Sequence, residues 1–338
     1  MTNRAASAVM LGFNFEINAA IVLMLENIEN LESIRTEGKF EDIDIKLSDG
    51  SWIFAQAKAV QNAESDFSNV RKNLKKALLS LSEAEKKASA PVKQLIMVTN
   101  SINPLKDVPT MNSFYGHAHK DYSDLPDRAK SIINKIIEEA GIDIDLSLFR
   151  IQVIPFVGTE ESERYKVIRE VIKQFLAKIE VQNCNYEWLT DHLLMAWHFE
   201  IMNNGSLKNP EITISKKNIV WPLIAILTDI ANNNSLRDKY DSGTYNEIIR
   251  TYGNIINHKN EKFEFVTRVL HDFRNYQDPG FGKEKMDNFI SHEWSNYIQD
   301  FPSDTIESDI IETIIKITLE SILNQKYEIM RIKEGVGL

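Results

Sequence analysis

The chain has 338 residues, with 49 acidic and 39 basic side chains and a formal net charge of −10 at neutral pH. A hydrophobic content of 43%, with only 13 glycines and 9 prolines, excludes a disordered chain and a fibrous one, and the length is sufficient for two globular domains. The single cysteine, Cys184, excludes an internal disulfide framework and a zinc site built from several cysteines.

The amino terminus and the composition predict a cytoplasmic protein. The opening segment lacks the short apolar core and cleavage site of a secretory signal, and no uninterrupted apolar run approaches the ~18 residues that span a membrane. We therefore expect no membrane partner. The acidic net charge also predicts that any contact with nucleic acid is confined to one part of the surface.

The first half of the chain predicts alternating helices and strands. Helices are expected at roughly residues 5–31, 65–87 (with Ser65 as N-cap) and 127–140, and strands at 33–37, 92–100 and 148–158, with a hairpin over 41–58. The strands at 92–100 and 148–158 are continuously apolar, as expected of buried strands. This order predicts a mixed sheet flanked by helices, an α/β domain that spans residues 1–160.

The second half predicts only helices. Apolar residues recur at helical spacing from about residue 160 onward, and strand signals are nearly absent. The change of pattern places a boundary within residues 159–185, and we take residues 161–338 as an all-α domain. Helices are expected at about 160–179, 187–203, 219–232, 245–256, 263–272, 285–299 and 305–333.

The hairpin "EDIDIKLSDGSWIFAQAK", residues 41–58, has two candidate registers. A two-residue loop at Asp49 and Gly50 mixes apolar and polar side chains on both faces. A three-residue loop, Asp49 to Ser51, gives one apolar face and is therefore favoured. It pairs Asp42 with Lys58 and Asp44 with Gln56, which gathers these polar groups on the other face.

This polar face has two interpretations. Carboxylate and amide oxygens are ligands for a hard cation such as Mg²⁺, and a nearby lysine can offset charge on a phosphate in a hydrolytic transition state. The alternative is an ordinary cross-strand Asp–Lys pair on a solvated face, which contributes less than ~1 kcal/mol. Spacing alone favours the second interpretation.

A family resemblance changes this balance. "EDIDI" followed by "FAQAK" resembles the Asp…Gln-x-Lys form of the PD-(D/E)xK nuclease pattern, in a similar setting of helix, strand, hairpin, helix and buried strand. The segment Gly12-Phe13-Asn14-Phe15-Glu16 is similar to the family's usual opening. The resemblance spans about residues 5–160. More narrowly, it resembles the double-stranded-DNA endonuclease domain of bacterial anti-phage effectors, the family of the nuclease associated with CD-NTase signalling. Within that family it is most like the nuclease subunit of Lamassu-type systems.

The resemblance implies a restriction-endonuclease-like fold and a set of site residues. Asp42 would be the principal metal ligand, Lys58 the catalytic lysine, and Gln56 a ligand where many relatives have an acid. Further metal ligands would come from Glu16, Glu37 and Asp44, although Glu16 and Glu37 are equally well read as surface charges. The cofactor would be Mg²⁺ or Mn²⁺.

Two other patterns bear on binding. Residues 66–93 hold seven basic and three acidic side chains, which predicts either a DNA contact or a solvated helix face. The DNA-contacting residues would be Arg71, Lys72, Lys75 and Lys76. His117 and His119 are two apart in "YGHAHKD", but no third metal ligand is evident, so a polar loop is the favoured interpretation.

The sequence therefore supports two functional hypotheses. The first is a metal-dependent endonuclease of double-stranded DNA, an effector of anti-phage defence restrained until activation by its helical domain and its partners. The resemblance implies an SMC-like ABC ATPase subunit and an accessory subunit as those partners, and we expect homo-oligomers. The second is a non-enzymatic helical interaction module with a degenerate nuclease-like domain.

Overall fold

A computed structural model describes residues 3–182, 184–230, 242–302 and 306–338. The chain divides into two compact units. The first comprises Met1–Lys178, Asn185–Ile219 and Gly337, and the second comprises Ile179–Cys184, Val220–Val336 and Leu338. The predicted domain boundary between residues 160 and 161 stays a prediction, and by spatial contact the first unit extends beyond it.

The first unit contains a mixed sheet of seven strands with helices packed on it. In chain order its elements are α1 (Asn3–Glu26), β1 (Leu31–Thr36), β2 (Ile43–Leu47), β3 (Trp52–Lys58), α2 (Val70–Lys87), β4 (Val92–Thr99), β5 (Ala118–Asp121), α3 (Asp127–Ala140), β6 (Phe149–Val153), α4 (Glu161–Arg164), α5 (Lys166–Lys178), α6 (Tyr186–Ser206) and β7 (Ile214–Ser215). Helix α7 (Lys216–Thr228) follows. The α/β architecture predicted for the first half is confirmed.

The sheet has the strand order β5-β6-β4-β3-β2-β1-β7. The β3–β4 and β4–β6 pairs are parallel, whereas the other four pairs are antiparallel. Side chains alternate across each strand, so the two faces of the sheet bury different residues. One face packs against α2 and α3 through Phe54, Leu95 and Met97. Helix α1 contacts β1 and β3 and also packs on α5 and α6.

Helix α1 is the apolar centre of this unit. By length and composition alone its segment Ala6–Glu26 is long and apolar enough to cross a membrane, although 56% of the tested window is buried inside the fold. Phe15 and the run 19–24 are completely buried, a pattern typical of the core helix of a soluble protein.

The second unit is helical, as the sequence predicts. Its described helices after α7 are α8 (Ser242–Asn260), α9 (Phe263–Asn275), α10 (Lys283–Glu293), α11 (Ser308–Asn324) and α12 (Lys326–Val336), with a 3-10 helix at Trp294–Asp300. Helix α11 is central, because ten of its residues are buried and it contacts α8, α9 and α10. Parts of the helices predicted at 219–232 and 305–333 lie outside the described residues.

The hairpin register predicted from the sequence is wrong by two residues. Ile43 pairs with Ala55, Asp44 with Phe54 and Ile45 with Ile53, so Asp44 does not pair with Gln56. The three-residue loop is 48–50 rather than 49–51, because Gly50 takes a φ of 83° and donates its N–H to the Leu47 carbonyl. A shift of two residues leaves every side chain on its predicted face. The face that carries Asp44 and Gln56 is nevertheless buried, because Phe54 on the same face packs into the core beneath α2.

Helix α2 begins at Val70 rather than at Ser65. The Asn62 carbonyl accepts the N–H groups of Ser65 and Asp66, so this segment forms a turn of its own. Asp66 then accepts the N–H of Ser68. These local hydrogen bonds compete with helix formation and delay its start.

Candidate active site

Asp42 and Lys58 meet at the end of the hairpin, as the sequence predicts. Asp42 directly precedes β2, and Lys58 is the last residue of β3. One carboxylate oxygen of Asp42, Oδ2, accepts the N–H of Ala57 at 2.9 Å and lies 3.4 Å from Nζ of Lys58. Both side chains are about a quarter exposed, which leaves them accessible to a ligand. The backbone N–H of Ala57 therefore holds the Asp42 carboxylate in place, while both side chains of the pair remain accessible to solvent.

Glu16 faces this pair from helix α1. Its side chain is only 9% exposed. Burial, followed by the negative charges of Asp42 and Glu37, raises the pKa of Glu16 to about 8, and Lys58 opposes that rise. Because charge interactions of this kind require proximity, Glu16, Glu37, Asp42 and Lys58 form one electrostatic cluster.

Glu37 joins the cluster through an uncommon backbone conformation. It follows β1 directly and has a φ of 47°, a left-handed value that is rare outside glycine. Its N–H donates to the carbonyl of Asp42 at 2.8 Å. Backbone strain of this kind is concentrated at functional sites. The left-handed turn keeps Glu37 beside Asp42 and leaves its side chain exposed.

Gln56 lies on the same face of β3 as Lys58, since the two are separated by one residue. It is 6% exposed, and its neighbour on β4 is Met97. An amide at this buried position offers a neutral oxygen ligand. It adds no further negative charge to a group of carboxylates that already repel one another.

Asp44 has a different environment from the one predicted. Its two carboxylate oxygens accept the N–H groups of Phe40 and Glu41, each at 3.0 Å. A side chain on Gly38 would come within 2.3 Å of Asp44, so the glycine makes room for this carboxylate. Burial raises the pKa of Asp44 to about 6, while these amides oppose the rise. The contacts favour a role in holding the turn over the predicted role as a metal ligand.

Glu41 belongs to the site region, although the sequence pattern gave no reason to include it. It is 5% exposed, lies next to the Ser80 hydroxyl, and one of its carboxylate oxygens has no hydrogen-bond partner among the described residues. Burial, with a smaller contribution from Asp42, raises the pKa of Glu41 to about 7. In a strict alternation Glu41 would point away from Asp42, but it precedes β2 and is free of that constraint.

The donor set suits a hard divalent cation. Carboxylate oxygens from Asp42, Glu16 and Glu37 and the amide oxygen of Gln56 are the ligand types that Mg²⁺ and Mn²⁺ take in proteins. A cation here would also offset the repulsion that makes the charged form of Glu16 unfavourable. Glu16, Glu37 and Asp42 are not, however, a group with all ligand atoms within 4.8 Å. The described residues hold one such group, which lies elsewhere. A cation at this cluster would therefore be held partly through water, as Mg²⁺ commonly is.

A cavity of about 1160 Å³ reaches the acidic cluster from one side. Glu16 and Glu37 line it, together with apolar side chains of α1 and α6, whereas Asp42, Gln56 and Lys58 do not. Asn14 and His198 are joined by a 3.1 Å contact across its wall, and Asn14 also bonds the Tyr165 hydroxyl. The cavity gives the buried carboxyl of Glu16 a route toward solvent.

The predicted DNA-binding residues lie on the outer face of α2. All four are exposed, while Leu74 and Leu78 of the same helix are buried against the sheet. Arg71 also donates to the carbonyl of Leu105 at 2.9 Å, which holds it in place. Because α2 connects the parallel strands β3 and β4, its first turns follow the end of β3 that carries Lys58. The four residues are Arg71, Lys72, Lys75 and Lys76.

Comparison with known proteins gave no match: no family model, no curated protein and no solved structure is similar to this chain.

Proposed function

We propose that this protein is a divalent-metal-dependent endonuclease of double-stranded DNA, with its active site at Asp42, Gln56 and Lys58. The observation that carries the proposal is the contact of Lys58 with Asp42 beside the buried acid Glu16. Carboxylates that repel one another, together with a lysine, at the same end of the inner strands β2 and β3 lower the stability of the fold. They are what a phosphodiester hydrolase of the PD-(D/E)xK type requires, and the proposed fold is accordingly restriction-endonuclease-like.

Each side chain has a distinct part in the proposed chemistry. A bound Mg²⁺ or Mn²⁺ supplies Lewis-acid polarisation of the phosphate and a water of lowered pKa. Asp42 and Gln56 would hold the cation, and Glu16 and Glu37 would complete its ligand shell through their own oxygens or through water. The ammonium group of Lys58 would orient the attacking water and offset the charge that develops on the phosphate.

The proposed substrate follows from the charges near the site. The protein is acidic overall, so attraction to a nucleic acid must be local. The exposed basic residues of α2 supply that attraction at the end of β3 where Lys58 lies. We place the protein in the bacterial cytoplasm, where an SMC-like ATPase and an accessory subunit would release its activity. These partners, and homo-oligomer formation, follow from the family resemblance.

The test is cleavage of plasmid and linear duplex DNA in Mg²⁺, by the chain alone and with its genomic-neighbour partners. Asp42→Asn should abolish cleavage, and EDTA should do the same to the wild type. Asp143→Asn is the matched control, because Asp143 is 88% exposed and far from the acidic cluster in sequence. Absence of cleavage by the wild type with partners present would overturn the proposal and favour the non-enzymatic interaction module.

A further inference from the structure

A second group of metal-ligating side chains lies at the edge of the sheet. Glu26, His117 and His119 each offer one ligand atom, and these three atoms all lie within 4.8 Å of one another. The Nε2 atoms of His119 and His117 lie 2.8 Å and 3.4 Å from Oε1 of Glu26. Glu26 ends helix α1, whereas the histidines come from the edge strand β5 and the residue before it. The third ligand is therefore 91 or more residues away in sequence from the pair.

The fold explains why these groups converge. His119 of β5 pairs with Gln152 of β6, and His117 falls on the same face because it is two residues away. The two imidazole rings lie side by side, with centroids 4.5 Å apart. The segment is thus an ordered strand edge rather than the polar loop that the sequence favoured.

Gln152 supports the Glu26 carboxylate from inside the fold. It is completely buried, and its amide nitrogen lies 3.2 Å and 3.1 Å from the two oxygens of Glu26 and 3.4 Å from Nε2 of His117. Its amide oxygen is buried and has no hydrogen-bond partner among the described residues. The N–H groups of Gln152 thus face the cluster, and this buried glutamine holds the Glu26 carboxylate beside the two histidines.

We infer that Glu26, His117 and His119 bind one divalent transition-metal ion of the zinc class, at a site separate from the proposed active site. Two imidazoles and one carboxylate are a ligand set that selects zinc and its neighbours over Mg²⁺. With Zn–N and Zn–O bonds of about 2.0–2.1 Å, tetrahedral ligand atoms lie roughly 3.3 Å apart. The His117–Glu26 distance of 3.4 Å is close to this value, whereas the His119–Glu26 contact of 2.8 Å is a hydrogen bond that would lengthen when the ion binds. Gln152 is a positioning residue, because its N–H group holds the Glu26 carboxylate.

The ion would join the end of α1 to the exposed edge of the sheet. The three side chains are 21–39% exposed, so water can take the remaining coordination position. Glu26 follows Glu16 by ten residues on α1, about 15 Å along the helix axis. The ion would therefore stabilise the first unit by linking α1 to β5. None of its three ligands belongs to the acidic cluster around Asp42.

The experiment is zinc titration of the metal-stripped full-length chain by calorimetry, with excess Mg²⁺ present to occupy harder sites. We expect the wild type to bind one Zn²⁺ per chain and to unfold at a higher temperature when loaded. H117A/H119A should lose this binding event, and E26Q should weaken it at least about tenfold. Co²⁺ loaded in place of zinc should show the visible absorption of an ion with nitrogen ligands, and this absorption should disappear in H117A/H119A.

The matched control is H258A/H271A, which removes two exposed histidines from the second unit and should leave zinc binding unchanged. E26Q is nearly isosteric, so it keeps the test valid if the double histidine variant folds poorly. Absence of stoichiometric zinc binding by the wild type, or equal zinc affinity in the wild type and either site variant, would overturn the inference. Neither outcome depends on whether the protein cleaves DNA.

Discussion

Glu16 links the folding of the first unit to pH. Its carboxyl is buried beside Asp42 and Glu37, and its pKa of about 8 lies above the ordinary value of 4.5. Between these two values the folded state holds a proton that the unfolded chain releases. The free energy of unfolding therefore falls as pH rises from about 4.5 through 8, in the absence of a bound cation.

We expect Glu16→Gln to remove the part of this dependence that comes from Glu16 and to leave the smaller parts that come from the raised pKa values of Glu41 and Asp44. In EDTA, the variant should be more stable than the wild type at about pH 8.5, by at least about 1 kcal/mol, and should show a flatter profile down to about pH 5.5. Urea unfolding at both pH values measures the difference. Glu139→Gln, which changes an exposed glutamate, is the control. A wild-type pH slope in Glu16→Gln would show that Glu16 is not the titrating group.

Single residues also show what a sequence pattern can and cannot locate. Alternation along one hairpin places Asp42 and Lys58 on the same face, and the family resemblance then indicates that they form a site. Alternation excludes Glu41 from the predicted site because it places Glu41 on the opposite face from Asp42, whereas in the structure Glu41 lies before β2 and is buried near Asp42. Glu26 was missed because its partners His117 and His119 lie more than 90 residues along the chain, and no local periodicity reports a contact across that separation.

At the level of elements, helix α2 is the proposed DNA contact. Lys75 and Lys76 are exposed in its first half, and Lys86 and Lys87 are exposed at its far end. The helix thus carries two pairs of adjacent lysines with equal charge. The pairs differ in distance from the end of β3 that holds Lys58, and Lys86 and Lys87 also form ion pairs with Asp143 and Glu83. The second pair is therefore a control for removal of lysines at the far end of the helix.

We expect K75Q/K76Q to weaken binding of duplex DNA and to lower the salt dependence of binding by about 0.9 for each phosphate that the variant no longer neutralises. K86Q/K87Q should have a smaller effect on both quantities. Fluorescence anisotropy over a range of salt concentrations, in Ca²⁺ to suppress cleavage, measures affinity and slope together. An equal fall in affinity in the two variants would argue for general charge attraction rather than a DNA contact near Lys58.

The sequence predicts the order of helices and strands better than it predicts which residues pair between neighbouring strands. Apart from β5, the order of helices and strands over the first 153 residues follows from hydrophobic periodicity, and α3 has the predicted bounds. The hairpin register did not follow, since apolar alternation fixes which residues share a face but is equally satisfied by registers two residues apart. The conformation of Gly50 decides between them. Strands β5 and β7 have four and two residues, too short for alternation to be recognised.

For the whole molecule, the two compact units differ in the candidate functional residues that they hold. The site residues, the basic face of α2 and the Glu26–histidine cluster all belong to the first unit. The second unit is built around the buried helix α11. Its proposed role in restraint and partner binding rests on the family resemblance, and its composition alone could not predict that role.

If the helical unit restrains the nuclease, the full-length chain alone should nick plasmid slowly in Mg²⁺. Addition of the genomic-neighbour ATPase, its accessory subunit, ATP and DNA should raise the rate by at least about tenfold. Gel analysis of plasmid over time measures both rates, and partners without the nuclease chain serve as the control. Free degradation of plasmid by the chain alone would contradict the restraint.

We propose that Lys58 and Asp42 form a hydrolytic site for duplex DNA. Comparison of the cleavage rate of Lys58→Met with that of Lys46→Met tests this proposal. Lys46 lies in the same hairpin but pairs with Glu32 on the surface. With partners and Mg²⁺ present, Lys58→Met should lose at least about 100-fold in rate while it retains DNA binding. Lys46→Met should keep the wild-type rate. A wild-type rate in Lys58→Met would contradict the assignment of the site.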